Sequence, residues 1–217
     1  DIAHLYDSAG DDVFEATPEY GTLTADGAYY FAAGFSEIYA HATAGGRDYA
    51  RLHDSTGDDC FVASESFGVL SGPGFLNHAE GFEEVRASAR NGGSDTAYLY
   101  GTPGNDSLLA APTYASFRGD SFANHAMAFD QVYAYGEGGD DVARLYDSAG
   151  NDRFVGAPGQ SYMLGDGFMN TAVGFARVFA HAEAGGDDIA QLYDSAGDDT
   201  FVGSPNQGQI SGEDFLA

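Results

Sequence analysis

Apolar and polar residues alternate with a period of two over short runs. Ala190 and Leu192 flank Gln191, Phe201 follows an acidic turn, and Ile210 closes the last run. This period marks half-buried strands. The same columns recur upstream as Ala3, Ala50, Ala97 and Ala143; as Leu5, Leu52, Leu99 and Leu145; and as Phe14, Phe61, Leu108 and Phe154. Stacked in register, they are expected to form continuous interior ladders. The stretch GFLNHAEGFEEVRASA mixes signals, because Phe75, Ala79 and Phe82 have helical spacing whereas Val85, Ala87 and Ala89 alternate. Strand is favoured there, with room for a short helix. Asn77, Asn124 and Asn170 share one column, which fits a stacked amide ladder as well as ordinary turn asparagines.

The runs recur every 47 residues, once 46, marked by DIAHLYDSAGDD at Asp1, DYARLHDSTGDD at Asp48, DTAYLYGTPGND at Asp95, DVARLYDSAGND at Asp141 and DIAQLYDSAGDD at Asp188. Residues 1–217 thus read as a single repeat array with copies at 1–47, 48–94, 95–140 and 141–187 and a partial copy at 188–217. Self-similarity at this period is the signature of a solenoid, in which each unit buries its apolar face against its neighbours. The expected fold is all-β, a parallel β-helix or β-roll. A copy of 47 residues, fully extended at ~3.3 Å per residue, would trace roughly 155 Å. Two coils per copy, and about nine coils in all, are therefore expected. The sequence opens in register with the repeat and stops in mid-copy without a polar cap, so either the array continues or subunits stack end to end.

Charge sharpens this picture. The chain has 34 acidic residues against 8 arginines and no lysine, a formal charge of −26. Such a surface repels nucleic acid and anionic membranes and attracts cations. A hydrophobic fraction of 43% argues against disorder. No apolar run approaches the ~20 residues of a membrane span. Cys60 stands alone in a variable column and reads as an incidental thiol. The histidines show no zinc-type spacing. Tyr6, Tyr100, Tyr146 and Tyr193, with His53 in the same column, read as a stacked aromatic row.

The chemistry sits in two glycine-acid corners about ten residues apart. The first, GGRD, GGSD, GGDD and GGDD, ends at Asp48, Asp95, Asp141 and Asp188; the second runs SAGDD, STGDD, TPGND, SAGND and SAGDD. Glycine permits positive φ, and aspartate supplies the hard oxygen that calcium selects. Parallel stacking is expected to line up Asp7, Asp54, Asp147 and Asp194 on one edge, and Asp12 with its equivalents likewise. Like charges ~5 Å apart repel by about 3 kcal/mol at an effective dielectric of ~20. Divalent cations would turn that repulsion into attraction. The alternative is that the acids are solvated turn residues serving solubility.

SAGDDTFVG and GTPGNDSLLA resemble haemolysin-type calcium-binding (RTX) nonapeptides, G-G-x-G-x-D-x-large apolar-x, over the turn halves of all five copies. The resemblance implies that glycine and aspartate carbonyls and aspartate carboxylates hold Ca2+ between turns of a parallel β-roll. Asp12, Asp59, Asp106, Asp152 and Asp199 match the motif aspartate, and Gly10, Gly57, Gly104, Gly150 and Gly197 the second glycine. Asp7, Asp54, Asp147 and Asp194, with Asp48, Asp95, Asp141 and Asp188, complete the expected metal set. Family repeats follow one another every nine residues, whereas these corners recur in pairs every 47. LYDSAGDDTF also resembles repeats of very large bacterial surface proteins.

These features together imply a calcium-stabilised extracellular module of a bacterial surface, serving as spacer, stalk, fibre or adhesin, with itself or a polysaccharide or cell-surface ligand as partner. The competing reading is a β-helix module of a polysaccharide lyase or epimerase. Against it, the arginines repeat in columns, as Arg51 and Arg144 do, and the main break in the repeat, Gly101-Thr102-Pro103, adds no acid, base or nucleophile. No catalytic residue is expected.

Overall fold

The computed structural model describes residues 1–212 and 215–217. Among these residues the chain is all strand and turn, with 23 strands and no helix, so none is available to cross a membrane. GFLNHAEGFEEVRASA is strand throughout its ordered runs, and no short helix forms there. The chain divides into two compact units, Asp1–Tyr100 with Ser121–Phe129, and Gly101–Asp120 with Asp130–Ala217.

The first unit contains β1 (Ile2–Tyr6), β2 (Val13–Ala16), β3 (Tyr20–Ala25), β4 (Ala28–Ala33) and β5 (Glu37–His41) from the first copy. The second copy adds β6 (Tyr49–His53), β7 (Cys60–Ala63), β8 (Phe67–Gly72), β9 (Phe75–Glu80) and β10 (Glu84–Ser88). From the third come β11 (Thr96–Tyr100) and, after β12 (Ser107–Ala111) and β13 (Tyr114–Arg118) of the other unit, β14 (Ala123–Met127). One sheet runs β1-β5-β9-β8-β7-β11 and the other β14-β10-β6-β2-β3-β4.

In each copy three consecutive strands form an antiparallel meander, β2-β3-β4 or β7-β8-β9, and the two meanders lie in opposite sheets. The first two copies thereby add five strands to each sheet. The sequence repeat is half of the structural repeat.

The second unit repeats the scheme with β15 (Gln131–Tyr135), β16 (Val142–Tyr146), β17 (Arg153–Ala157), β18 (Gln160–Gly165), β19 (Phe168–Val173), β20 (Arg177–His181) and β21 (Ile189–Leu192). Its sheets run β15-β19-β18-β17-β21 and β20-β16-β12-β13, and β22 (Thr200–Ser204) with β23 (Gln207–Ser211) forms a separate hairpin.

Apart from β4, β22 and the middle strands of the meanders, the strands stack in parallel, which makes the fold a β-solenoid of about five turns. This replaces the expected nine coils: a copy spends its extra length on the meander's return strand instead of on a second coil.

The interior ladders also differ from expectation, because like columns never sit side by side. Phe14 lies opposite Ala50, Phe61 opposite Ala97, Leu108 opposite Ala143 and Phe154 opposite Ala190. A large side chain beside alanine leaves room for rings from the bends that link the two sheets. Phe14 meets Phe82 at 6.0 Å and Phe61 meets Phe129 at 6.0 Å in the first unit, and Phe117 meets Phe175 at 5.6 Å in the second. Removing one such ring would cost about 3–5 kcal/mol.

Neither sequence reading of the asparagine column holds. Asn77, Asn124 and Asn170 are buried, and each side-chain amide donates to a backbone carbonyl of an earlier copy: Thr17 at 2.9 Å, Ser64 at 2.8 Å and Ala111 at 3.1 Å. They tie turns together across 59 or 60 residues. A buried acceptor that loses its donor costs about 1–3 kcal/mol. Asn77→Leu is therefore expected to destabilise by about that amount in urea denaturation, and an unchanged midpoint would contradict the tie.

Candidate metal centre

Each S-x-G-x-D corner is a self-contained turn. Ser8 N–H donates to Asp12 Oδ2 at 2.8 Å, Ser8 Oγ donates to Asp12 Oδ1 at 3.0 Å, and Gly10 N–H reaches Ser8 Oγ at 3.4 Å. The pattern recurs at Ser55 and Asp59, Thr102 and Asp106, Ser148 and Asp152, and Ser195 and Asp199. Hydroxyl and carboxylate side chains that bond nearby backbone favour such turns over ladders.

The two corners that are ten residues apart in sequence do not face each other. Instead each GG-x-D corner closes on the S-x-G-x-D corner 35 or 36 residues earlier. Asp12 N–H donates to Asp48 Oδ1 at 2.8 Å, Asp59 N–H to Asp95 at 2.8 Å, Asp106 N–H to Asp141 at 2.7 Å and Asp152 N–H to Asp188 at 2.9 Å. A second set of bonds runs the other way. Asp11, Asp58, Asn105 and Asn151 accept from the N–H of Arg47, Ser94, Asp140 and Asp187, each at 2.8 Å. The glycine between them is obligatory: Gly93, at φ 107°, lies against the Gly57 carbonyl, where a Cβ would overlap the oxygen. Gly46, Gly139 and Gly186 lie in the same way against Gly10, Gly104 and Gly150.

Asp7, Asp54 and Asp147 cap the loop before the paired glycines, accepting from the N–H of Ala44 at 2.7 Å, Asn91 at 2.6 Å and Ala184 at 2.9 Å. The third copy has Gly101 in this column, and its loop 136–141 is one residue shorter, lacking the residue that would donate. Donor and acceptor are absent together. There Asp141 is fully buried, and among the described residues its Oδ2 has no hydrogen-bond partner.

The expected rows of like aspartates are not formed, since copies alternate between sheets. Acids cluster instead where two corners meet. One carboxylate oxygen from each of Asp147, Asp152 and Asp188 lies within 4.8 Å of the other two. Oxygens on opposite sides of one calcium, at 2.3–2.6 Å each, are separated by about 5 Å. Backbone donors use part of the acceptor capacity here, but a carboxylate has about four acceptor sites. The cluster fits a hard cation. Asp7, Asp12 and Asp48, and Asp54, Asp59 and Asp95, are the same columns in the first two copies. Asp106 and Asp141 form the reduced version, and Asp194 and Asp199 occupy the same columns in the partial fifth copy. The carbonyls of Gly10, Gly57, Gly104 and Gly150 pack on the glycines of the joined corner.

Most of these acids are not solvated turn residues: Asp12, Asp48, Asp54, Asp59, Asp95, Asp106, Asp141, Asp147 and Asp152 are buried, whereas Asp7 and Asp199 are half-buried and Asp188 and Asp194 exposed. Burial pushes the Asp48 carboxyl up to about 6, against the pull of the Asp12 N–H and with help from the charges of Glu83, Asp12 and Asp7. Burial likewise raises Asp59 and Asp141 from their ordinary value.

A relay not foreseen from sequence lies on the outer face of the first unit. His4 Nδ1 meets His41 Nε2 at 3.0 Å, and His41 Nδ1 meets Glu80 at 2.7 Å. The two rings are nearly coplanar, at 16°, with centroids 5.3 Å apart. That separation is the nitrogen distance plus two ring radii, so the nitrogens point head-on at one shared proton and leave no room for a metal. In place of the expected tyrosine row, Tyr6 stacks on His41 at 4.9 Å and Tyr146 on His181 at 4.7 Å.

Comparison with family models, curated proteins and solved structures finds no match for this chain.

The raised Asp48 sets a pH dependence. Its folded pKa of about 6 lies above the unfolded value, so the stability gained from the neutral form is present below pH ~4 and lost as pH rises through about 6. In chelator, Asp48→Asn should equal the wild type near pH 4 and exceed it by up to about 3 kcal/mol at pH 7. Denaturation curves at several pH values would show this, and a constant difference would refute it.

Proposed function

We propose that the chain is a non-catalytic structural module whose turns are clamped by calcium, acting as a spacer, stalk or fibre element outside a bacterial cell. The observation that carries this reading is the meeting of Asp147, Asp152 and Asp188 at the junction of two corners. A cation there touches side chains from two turns. It also offsets the repulsion between the buried carboxylates of Asp147 and Asp152 and the exposed one of Asp188, about 3 kcal/mol per pair at these separations and an effective dielectric of ~20. Because the ion binds the folded array and not the unfolded chain, it stabilises by mass action.

Several features favour calcium and an extracellular setting. Aspartate-rich sites on flexible glycine corners suit an ion that accepts six to eight oxygens in irregular geometry, whereas magnesium demands a tighter octahedron. Extracellular modules work with dissociation constants of about 10⁻⁴–10⁻³ M, which suits corners already part-occupied by backbone donors. The likeness to RTX nonapeptides and to repeats of large bacterial surface proteins points the same way. The arginines Arg51 and Arg86 lie over the Tyr49 ring as part of a packed outer face, which favours a structural over a catalytic role.

Calcium should raise the thermal midpoint relative to chelator, and magnesium should do so much less. Asp152→Asn should remove one site from a calorimetric titration and leave the others. Identical midpoints in calcium and chelator would overturn the proposal.

A further inference from the structure

Two arginines lie side by side on the outer face of the first unit, in a chain that carries only eight. Arg51 on β6 is directly opposite Arg86 on β10, and both point away from the interior, where Ala50, Leu52, Val85 and Ala87 are buried. Like charges opposite each other on a sheet face are unfavourable. The Tyr49 ring nevertheless gathers both, with the guanidinium carbons 4.9 Å and 5.7 Å from its centroid. Glu84 is shared between Arg47 at 3.7 Å and Arg86 at 3.8 Å. Among the described residues neither Arg51 nor Arg86 donates a hydrogen bond, and Arg86 Nε is buried without a partner.

The same two columns hold His4 and Tyr39, Tyr98 and Tyr133, and Arg144 and Phe179 in the other complete copies. Each of those pairs includes a ring. The second copy alone pairs two arginines, so the repeat is broken at a single place. That place is inside a sheet, with β2 on one side of β6 and β10 on the other.

The surroundings are mixed in charge. Glu15 lies opposite Arg51 on β2, and its Oε1 meets His53 Nε2 at 3.2 Å. Two residues beyond Arg51, ~7 Å along the strand, His53 lines a groove of about 370 Å³ together with Thr17, Glu19, Tyr20, Ser55 and Thr56. This volume falls within the range of small-molecule sites, about 300–1,000 Å³.

We infer that this face binds an acidic sugar chain: a uronate carboxylate sits on Arg51 and Arg86, and the adjoining sugar occupies the groove beside His53. Guanidinium forks match the paired oxygens of a carboxylate or a phosphate. The flanking acids decide between them. Glu15, Glu84 and the −26 charge of the chain disfavour a dianionic phosphate or a densely charged polymer. They favour a ligand with one charge and many hydroxyls, because a carboxylate only accepts hydrogen bonds and sugar hydroxyls donate them. Glu19, Ser55 and Thr56 repeat that chemistry in the groove, and the Tyr20 ring gives the sugar an apolar wall. The inference rests on the arginine pair and stands apart from the calcium reading.

Calorimetric titration of the purified chain with a galacturonate trimer, in calcium and in chelator, tests it. Binding is expected in both conditions and should weaken as salt rises. Arg51 is exposed, so Arg51→Gln should keep the thermal midpoint and weaken binding roughly 10–100-fold, the worth of one charge-assisted hydrogen bond. Arg86→Gln should weaken binding likewise, whereas Arg144→Gln, beside Phe179, should leave it as it was. The methyl-esterified trimer should not bind, and inorganic phosphate should bind more weakly than the trimer. A trimer that does not bind the wild type, or that binds Arg51→Gln equally well, overturns the inference, as does phosphate that binds as tightly as the trimer. Binding in calcium alone overturns the arginine assignment, since the ion would then carry the carboxylate. Oligomers of the chain that Arg51→Gln disperses, with no trimer bound, would assign the pair to acids of a second copy and equally overturn the inference.

Discussion

Everything in this molecule hangs on aspartate carboxylates that accept backbone N–H groups away from water. Corners of a solenoid bring N–H groups inward where neither ladder nor solvent can pair them, and each orphan would cost about 1–3 kcal/mol. The carboxylate of Asp12 holds its own turn together through Ser8, and its backbone N–H is held by Asp48 from the next turn. One residue type thus closes a corner and fastens it to its neighbour. The cost is buried negative charge, which appears as the upward displacement of Asp48, Asp59 and Asp141. A fold that solves its hydrogen bonding with carboxylates concentrates negative charge at its corners in the same step.

The corners, the strands and the all-β class were legible in the sequence, because period-two alternation and glycine-acid punctuation are local signals. The pairing of strands was not. Repeated columns invite the assumption that like stacks on like, yet Phe61 sits opposite Ala97 and not beside Phe14. Both arrangements bury the same residues with the same periodicity, and they differ in whether a ring has space to enter. Large beside small provides that space, a property of pairs of columns that no single column displays.

The role of the first aspartate was nevertheless written in the sequence, in a feature read as a mere break. The one copy with Gly101 in place of that aspartate is also the one whose loop is a residue short before its paired glycines. Two changes in one copy, 35 residues apart, mark a donor and acceptor lost together. The S-x-G-x-D spacing likewise encodes a hydroxyl-to-carboxylate turn bond, which a search for metal ligands alone passes over. The histidine relay left no such trace, since His4, His41 and Glu80 meet only once β1, β5 and β9 are laid side by side.

The alternation of meanders between sheets gives the array a parity. Genes built of near-identical segments gain and lose copies by recombination, and for most solenoids one copy more or less changes length alone. Here a single-copy deletion would send every later meander to the opposite sheet and exchange the residues displayed on the two faces. Loss of two copies would restore the original display. Any selection acting on one face would therefore hold such genes to changes in even steps.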